Sequence, residues 1–460
     1  MRLGLALDLL RAEGLRGIGG RLADRIASLR DRAAETSVRA EELAGLLARA
    51  GGAPVLDVLA TPREPRFGGV AVQFQARLPE ERRLRPTAVL SPERGGWTLA
   101  ASSGGMRWRC RIAPARTGGF PKTAPIGAEE AIRDAARIVA ARVVNVEGAA
   151  GWPPDALLAL AAGPAALVLS LHDFALYCPR PNLVEEPAAR FCGYSAGGSR
   201  CAACLAAAWR LPPRFVEAWR EASRELLSSA HAVVYPSDFL RRAHAELFPG
   251  ATPRREAVIA PASPGGPAAP PRPPGERVSS SGSPRVAFVG AYRPHKGALV
   301  FEELVRRGGR VDGRPVRWTV LGSGDPGLVR RAREDGVRVV GHYPAGALPR
   351  LLAAEQVDVA LLLSIWPETF SLTLTECRIV GVPVIAFEHG AIAERIRNEG
   401  GGRLVPLERG AEGIALALEA LLAGADPSGC APFRPEAVPE ASRAARERSD
   451  LYRTLLPGTP

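Results

Sequence analysis

At 460 residues, 46% hydrophobic and 23% charged, the chain has a globular composition and is too long for one ordinary core, which predicts two main domains. A formal net charge of +12 favours anionic partners such as nucleotides, phosphorylated lipids or an acidic membrane face. The basic excess is spread along the chain and aromatics make up only 6%, which argues against nucleic acid as a partner.

Residues 1–49 read as an Arg-rich helical extension, with Leu22, Ile26 and Leu29, then Leu43, Leu46 and Leu47, at helical spacing. This predicts a helical hairpin packed on the first domain; a basic amphipathic surface lying on a membrane is the sharper alternative. The early apolar run breaks at Asp8 without a small-residue cleavage site, so no signal peptide is read. With seven cysteines, that predicts reduced thiols and a cytoplasmic location, with peripheral contact on the inner membrane face as an option.

From about residue 50 to 250 short β-rich runs alternate with helices. They are "PVLDVLA" (Pro54–Ala60), a glycine turn opening a helix in "RFGGVAVQFQARL", "PTAVLS", "ARVVNVEG", a helix from Pro154, "AALVLSLHD", a helix around Arg214–Ser229, and "HAVVYPSDFL". The pattern predicts a parallel sheet covered on both faces. The longest apolar stretch, Ala156–Leu171, contains Gly163-Pro164 and reads as helix end, turn and strand, too short to span a bilayer. Residues 251–284, rich in Pro, Gly and Ser, read as a linker. Residues 285–424 repeat the alternation six times and predict a second doubly wound domain, with a charged helical tail over 425–460.

Ligands of such sheets sit beyond the carboxyl ends of strands, at helix N-termini. "FVGAYRPHKG" puts Arg293 and Lys296 just past a strand, where a cation and backbone N–H groups suit a phosphate; lysine is rare here, Lys122 and Lys296 being the only two. "LGSGD" puts Gly322 and Gly324 past the next strand, which by itself is no more than a tight turn. In "LLLSIWPETFSLTLTEC" Ser371 is a plausible N-cap for a helix from about Leu372. Glu368 then lies in the loop and Glu376 one turn inside the helix, where a carboxylate can accept from vicinal hydroxyls; a surface or salt-bridged role is the plain alternative.

Taken together these segments, with "VVGHY", "G-VPVIA" (Gly381–Ala386) and "HGAIAERI" (His389–Ile396), resemble the retaining GT-B glycosyltransferases of family 4 in motif and order. "LHDFALYCPR" (Leu171–Arg180), "VVYPSDFL" (Val233–Leu240) and "FGGV" (Phe67–Val70) extend the resemblance over most of residues 54–422. It implies an α/β protein of two Rossmann-like domains facing a cleft. It also implies transfer of a sugar, with retention, from a nucleoside diphosphate sugar to a glycan or lipid-linked acceptor, in surface polysaccharide or lipid-linked glycan synthesis, with no metal needed for catalysis. Carried onto this chain, it implies that Lys296, Arg293 and Gly322 hold the donor diphosphate side and Glu376 the ribose. Glu368 would face the donor sugar beside the N–H groups of Phe370, Ser371 and Leu372. His172 would act on the sugar, with Gly68 and Gly69 near donor or acceptor.

The chain departs from that pattern at Ala291, where relatives often carry arginine, and at Asn145 and Glu147, where many carry histidine. A non-catalytic nucleotide-sugar-binding or scaffold protein, or a nucleotide-sugar epimerase, are the alternative functions. Cys178, Cys192, Cys201 and Cys204 form C-x13-C-x8-C-x2-C, whose last pair is a candidate structural zinc knuckle. Cys178 follows its strand closely and reads as standing apart. Cys110, Cys377 and Cys430 read as ordinary thiols.

Overall fold

The structure, a computed structural model, describes residues 17, 19–27, 29–51, 55–63, 68–93, 96–113, 128–263, 282–311, 313–423, 433 and 438–456. Phe67, Lys122, Cys430, the first sixteen residues and most of the expected linker (264–281) lie outside these. The chain divides into two compact units. One comprises residues 27–188, 192–262 and 439–460; the other comprises residues 1–26, 189–191 and 263–438.

The first unit is built on strands β1 (Thr36–Ser37), β2 (Val55–Leu59), β3 (Thr87–Glu93), β4 (Gly96–Ser103), β5 (Met106–Ala113), β6 (Val143–Glu147), β7 (Ala166–Ser170), β8 (Ala232–Tyr235) and β9 (Glu256–Val258). They form one nine-stranded sheet in the order β1-β5-β4-β3-β2-β6-β7-β8-β9. From β3 through β2 to β9 it is parallel, and β2, β6 and β7 are buried along their whole length, which explains their largely apolar character and buries Asp57, Asn145, Glu147 and Ser170 with them.

The expectation of a purely parallel sheet fails at one edge, where β3, β4 and β5 run antiparallel. The signal was there: Gly104-Gly105, at φ 56° and 82°, join Ser103 to Met106 in a two-residue turn that needs positive φ at both positions. The helix Ala441–Leu455, read as a tail, packs on the Gly69–Leu84 helix of this unit and buries Arg448 and Tyr452.

The N-terminal segment also corrects its reading. Residues 19–27 and 29–33 are helical, yet Leu22, Ile26 and Leu29 are all exposed. The face turned inward is the small and acidic one. Asp24 pairs with His342 Nε2 at 2.7 Å, and a Cβ on Gly20 would stand 2.6 Å from the His342 carbonyl. The described residues up to Ile26 therefore belong with the second unit, not the first.

In the second unit β10 (Arg285–Val289), β11 (Arg317–Leu321), β12 (Arg338–Gly341), β13 (Val359–Leu362), β14 (Val384–Phe387) and β15 (Gly402–Val405) form an all-parallel sheet in the order β12-β11-β10-β13-β14-β15. One core layer packs Phe288, Tyr292, Phe301 and Ile414 against one face, and a second packs Leu348, Leu374 and Ile392 against the other. Each such burial contributes about 1.5–3 kcal/mol. By chain order this sheet reads 3-2-1-4-5-6, so the direction of winding reverses between β10 and β13. The loops leaving those two strands are where a ligand site forms, and they hold Lys296 and Glu368. In the first unit the reversal falls between β2 and β6, beside the loops that hold Gly68 and Gly148.

Candidate active site

In the second unit the chain leaves β10 through Gly290 (φ 120°) and enters a single 3-10 turn, Pro294–Lys296, that ends in Gly297. Gly297 has φ 86°, and a Cβ there would stand 1.9 Å from the Leu363 carbonyl, so the two loops meet at a position only glycine can fill. The turn carries Lys296 against the loop leaving β13. There its Nζ donates to Glu368 Oε1 at 2.8 Å and lies 5.4 Å from the centre of the Trp366 ring. The Ser364 hydroxyl also donates to Glu368 Oε1. Burial pushes the Glu368 carboxyl up, but Lys296 and Ser364 outweigh it and hold the carboxyl below its ordinary value. Glu368 is thus a fixed anion, and Lys296 a fixed cation beside it.

Ser371 caps the helix Leu372–Ile379 as its sequence predicts, its hydroxyl accepting from Leu374 N–H at 3.3 Å. Its backbone is at φ 72°, unusual for a residue with a side chain. Arg395, buried beneath the loop, donates to the carbonyls of Phe370 (3.2 Å) and Ser371 (3.1 Å) and stacks 4.0 Å from the Phe370 ring. The N–H groups of Phe370, Ser371 and Leu372 donate to no acceptor among the described residues. Glu376, one turn in, is 6% exposed, has no hydrogen-bond partner among the described residues, and is pushed up to about 7 by burial.

The rest of the expected donor set is placed unevenly. Arg293 is exposed beside His295, without a side-chain partner among the described residues. Gly322 is packed rather than presented. At φ 150° its Cβ would stand 1.9 Å from the Gly290 carbonyl, and one on Gly324 would stand 2.8 Å from Tyr292, so the G-x-G serves to close one loop on the other. Sequence reasoning missed Ser364, Trp366 and Arg395 as contributors. It also missed His389, whose Nε2 lies 2.7 Å from the Ser364 carbonyl. Serine and tryptophan in a loop, or arginine in a helix, carry no local pattern that announces such contacts.

In the first unit Gly68 (φ 113°) and Gly69 open the Gly69–Leu84 helix and are exposed, with open space where a Cβ would stand. His172 follows β7. Its Nε2 donates to Glu147 Oε2 at 3.1 Å, which leaves Nδ1 to accept from the Gln73 amide at 2.9 Å. Burial holds the imidazole below its ordinary pKa although Glu147 pulls it up.

Glu147 and Asn145, the two departures from the family pattern, are both buried, so they are not a contact surface. Asn145 donates to Asp57 at 2.7 Å and accepts from the Ser170 hydroxyl at 2.8 Å. Glu147 accepts from Arg77 and, at 3.2 Å, from Arg448. Those arginines hold its carboxyl well below the usual range against the cost of burial.

Residues 283–424 match the family of Glycosyl transferases group 1. No curated protein matches the chain by sequence. Among solved structures it resembles sucrose-phosphate synthase from Thermosynechococcus elongatus, at 16% identity over 87% of this chain and 98% of that one, TM-score 0.58. It also resembles Anabaena HepE in complex with UDP, at 14% identity over 87% and 99%, TM-score 0.55. A third is the catalytic domain of starch synthase IV from Arabidopsis thaliana bound to ADP and acarbose, at 12% identity over 88% and 98%, TM-score 0.52. The fold is GT-B, an α/β architecture of two Rossmann-like domains, and residues 283–424 carry a glycosyltransferase group 1 domain.

Proposed function

We propose that the chain is a retaining glycosyltransferase that moves a sugar from a nucleoside diphosphate sugar to an acceptor hydroxyl, in the assembly of a surface polysaccharide or a lipid-linked glycan. The observation that carries the reading is the set of groups at the winding reversal of the second sheet. It comprises an ammonium, three N–H groups at a helix N-terminus that have no acceptor among the described residues, and two carboxylates, one ion-paired and one buried without a hydrogen-bond partner among them. Ammonium and N–H groups suit a leaving diphosphate. A buried carboxylate without donors suits a ligand rich in hydroxyls. The group 1 match over the same residues, and neighbours that hold UDP or ADP, support a nucleoside diphosphate in this place.

In this reading the chemical step develops negative charge on the leaving diphosphate, and Lys296 and the N–H groups of Phe370, Ser371 and Leu372 stabilise it where they already stand. Arg293 adds an exposed cation. Glu376 takes the ribose hydroxyls and Glu368 the hydroxyls of the transferred sugar. His172, held neutral and oriented by Glu147 and Gln73, is the residue of the first unit on which turnover depends. Among the described residues no helix is long and apolar enough to cross a membrane, so a lipid-linked acceptor would be met from the membrane surface.

The test is a donor screen. Purified protein is incubated with a panel of nucleoside diphosphate sugars, with and without membrane extract, and nucleotide release is measured. Release from one donor, raised by the extract and lost in Glu368→Ala, supports the transferase and names the sugar. Binding without turnover would support a scaffold built on the same fold. A changed sugar on intact donor would support an epimerase.

A further inference from the structure

The loop after β7 carries Cys178 and Cys192, and the helix Gly198–Trp209 carries Cys201 and Cys204. All four line one cavity in the first unit. Cys178, expected to stand apart, therefore joins the other three.

One of the sulfurs already receives a backbone N–H group: Glu186 N–H donates to Cys204 Sγ at 3.3 Å. The turn after Cys192 is built by Gly193 and Tyr194, at φ 63° and 57°. An N–H group aimed at sulfur favours the thiolate. Arg180, Arg200 and Arg220 line the same cavity together with Glu185; Arg200 pairs with Glu185 and Arg180 with Glu186, while Arg220 Nη2 stands 4.0 Å from Cys201 Sγ. Four cysteine sulfurs gathered in one cavity, two of them from a C-x2-C on one helix, are the donor set that a soft divalent cation takes.

We propose that Cys178, Cys192, Cys201 and Cys204 bind one zinc ion through four thiolates, as a structural site that clamps the loop following His172. Among the described residues no three His, Cys, Asp or Glu side chains stand in ligating arrangement as the chain lies. Cys201 is turned to Ser195, its Sγ 3.3 Å from Oγ. Binding turns the sulfurs from these partners to the metal and releases the thiol protons. Arg220, which among the described residues otherwise meets only the Tyr177 and Ser195 carbonyls and the Tyr177 ring, then offsets part of the negative charge of four thiolates on a divalent ion. The ion takes no part in sugar transfer, so the proposal stands apart from the functional reading.

The experiment is metal analysis of the full chain, purified without chelator, together with anaerobic reconstitution by zinc and by cobalt(II). About one zinc per chain is expected. The cobalt form should show the thiolate-to-cobalt charge transfer and tetrahedral bands of a four-sulfur site. Zinc should be lost in Cys201→Ser and Cys204→Ser and kept in Cys110→Ala. The wild-type zinc content and cobalt spectrum need no variant to fold. Absence of stoichiometric zinc after reconstitution, zinc retained in both serine variants, or a Cys201–Cys204 disulfide in the freshly isolated chain would each overturn the proposal.

Discussion

Glu376 gives the sharpest test, because the proposed role sets its stability effect and its effect on ligand binding in opposite directions. Its carboxyl is buried without a donor among the described residues, and burial raises it from the ordinary 4.5 to about 7. At 1.36 kcal/mol per pH unit the difference corresponds to about 3 kcal/mol, as an order of magnitude. The sign follows from proton counts. Below pH 4.5 both the folded and unfolded carboxyls are protonated and nothing is lost. Between 4.5 and 7 the unfolded form has released its proton while the folded form keeps it, so stability falls as pH rises; above 7 the full cost is present.

Glu376→Gln removes the ionisation. In urea unfolding at pH 8 the variant should exceed the wild type by up to about 3 kcal/mol, narrowing to under about 1 kcal/mol at pH 5. Nucleoside diphosphate binding should move the other way, weakened about ten- to a hundredfold in the variant, since hydrogen bonds to a charged acceptor are worth roughly 1.5–3 kcal/mol. Equal unfolding curves at pH 8, or a gain independent of pH, would refute the assignment of a buried, unpartnered carboxylate.

Lys296→Met should release Glu368 to a higher pKa and cut nucleotide release by roughly a hundredfold or more, read by steady-state kinetics on the donor found in the screen. Gly297→Ala places a Cβ 1.9 Å from the Leu363 carbonyl at φ 86°, and should abolish cooperative unfolding by circular dichroism. Arg448→Met leaves the buried Glu147 short of a partner and should cost about 3–5 kcal/mol in urea unfolding. Arg395→Met should raise the nucleoside diphosphate Kd by about tenfold in isothermal titration, the worth of about one lost hydrogen bond, through the loop carbonyls that Arg395 holds beside Thr375 and Glu399.

Much of the fold was legible because the strands of a doubly wound sheet are buried on both faces and read as short apolar runs. β10, β13 and β14 could be placed from sequence for that reason. The β4–β5 hairpin was passed over because the regular alternation elsewhere favoured a parallel sheet, although Gly104-Gly105 marked the turn. Leu22, Ile26 and Leu29 misled for a different reason. Helical spacing identifies a face but not its environment, and here Gly20 and Asp24 form the packed face because glycine permits a closer backbone approach than leucine. The capping role of Ser371 was legible from a local rule. The pairing of Lys296 with Glu368 was not, because the two are 72 positions apart and meet only through the adjacency of β10 and β13. The same holds for Arg448 and Glu147, joined across 301 positions.

The features at the winding reversal share a property that separates them from the rest of the core: each is unfavourable where it stands. Ser371 holds a left-handed backbone and, among the described residues, three N–H groups lack acceptors and Glu376 lacks a donor. They are also connected. In a trans peptide the N–H points opposite to the preceding carbonyl. Arg395 draws the carbonyls of Phe370 and Ser371 inward, and so it turns the N–H groups of Ser371 and Leu372 outward. The positive φ at Ser371 is what allows two successive carbonyls to reach one guanidinium. Packing alone would favour the opposite arrangement, with those N–H groups satisfied and an apolar residue at position 376. A buried arginine spent on holding donors open, one turn from a carboxylate with nothing to accept, is the arrangement expected when the missing partners come from a ligand that carries negative charge at one end and hydroxyls at the other.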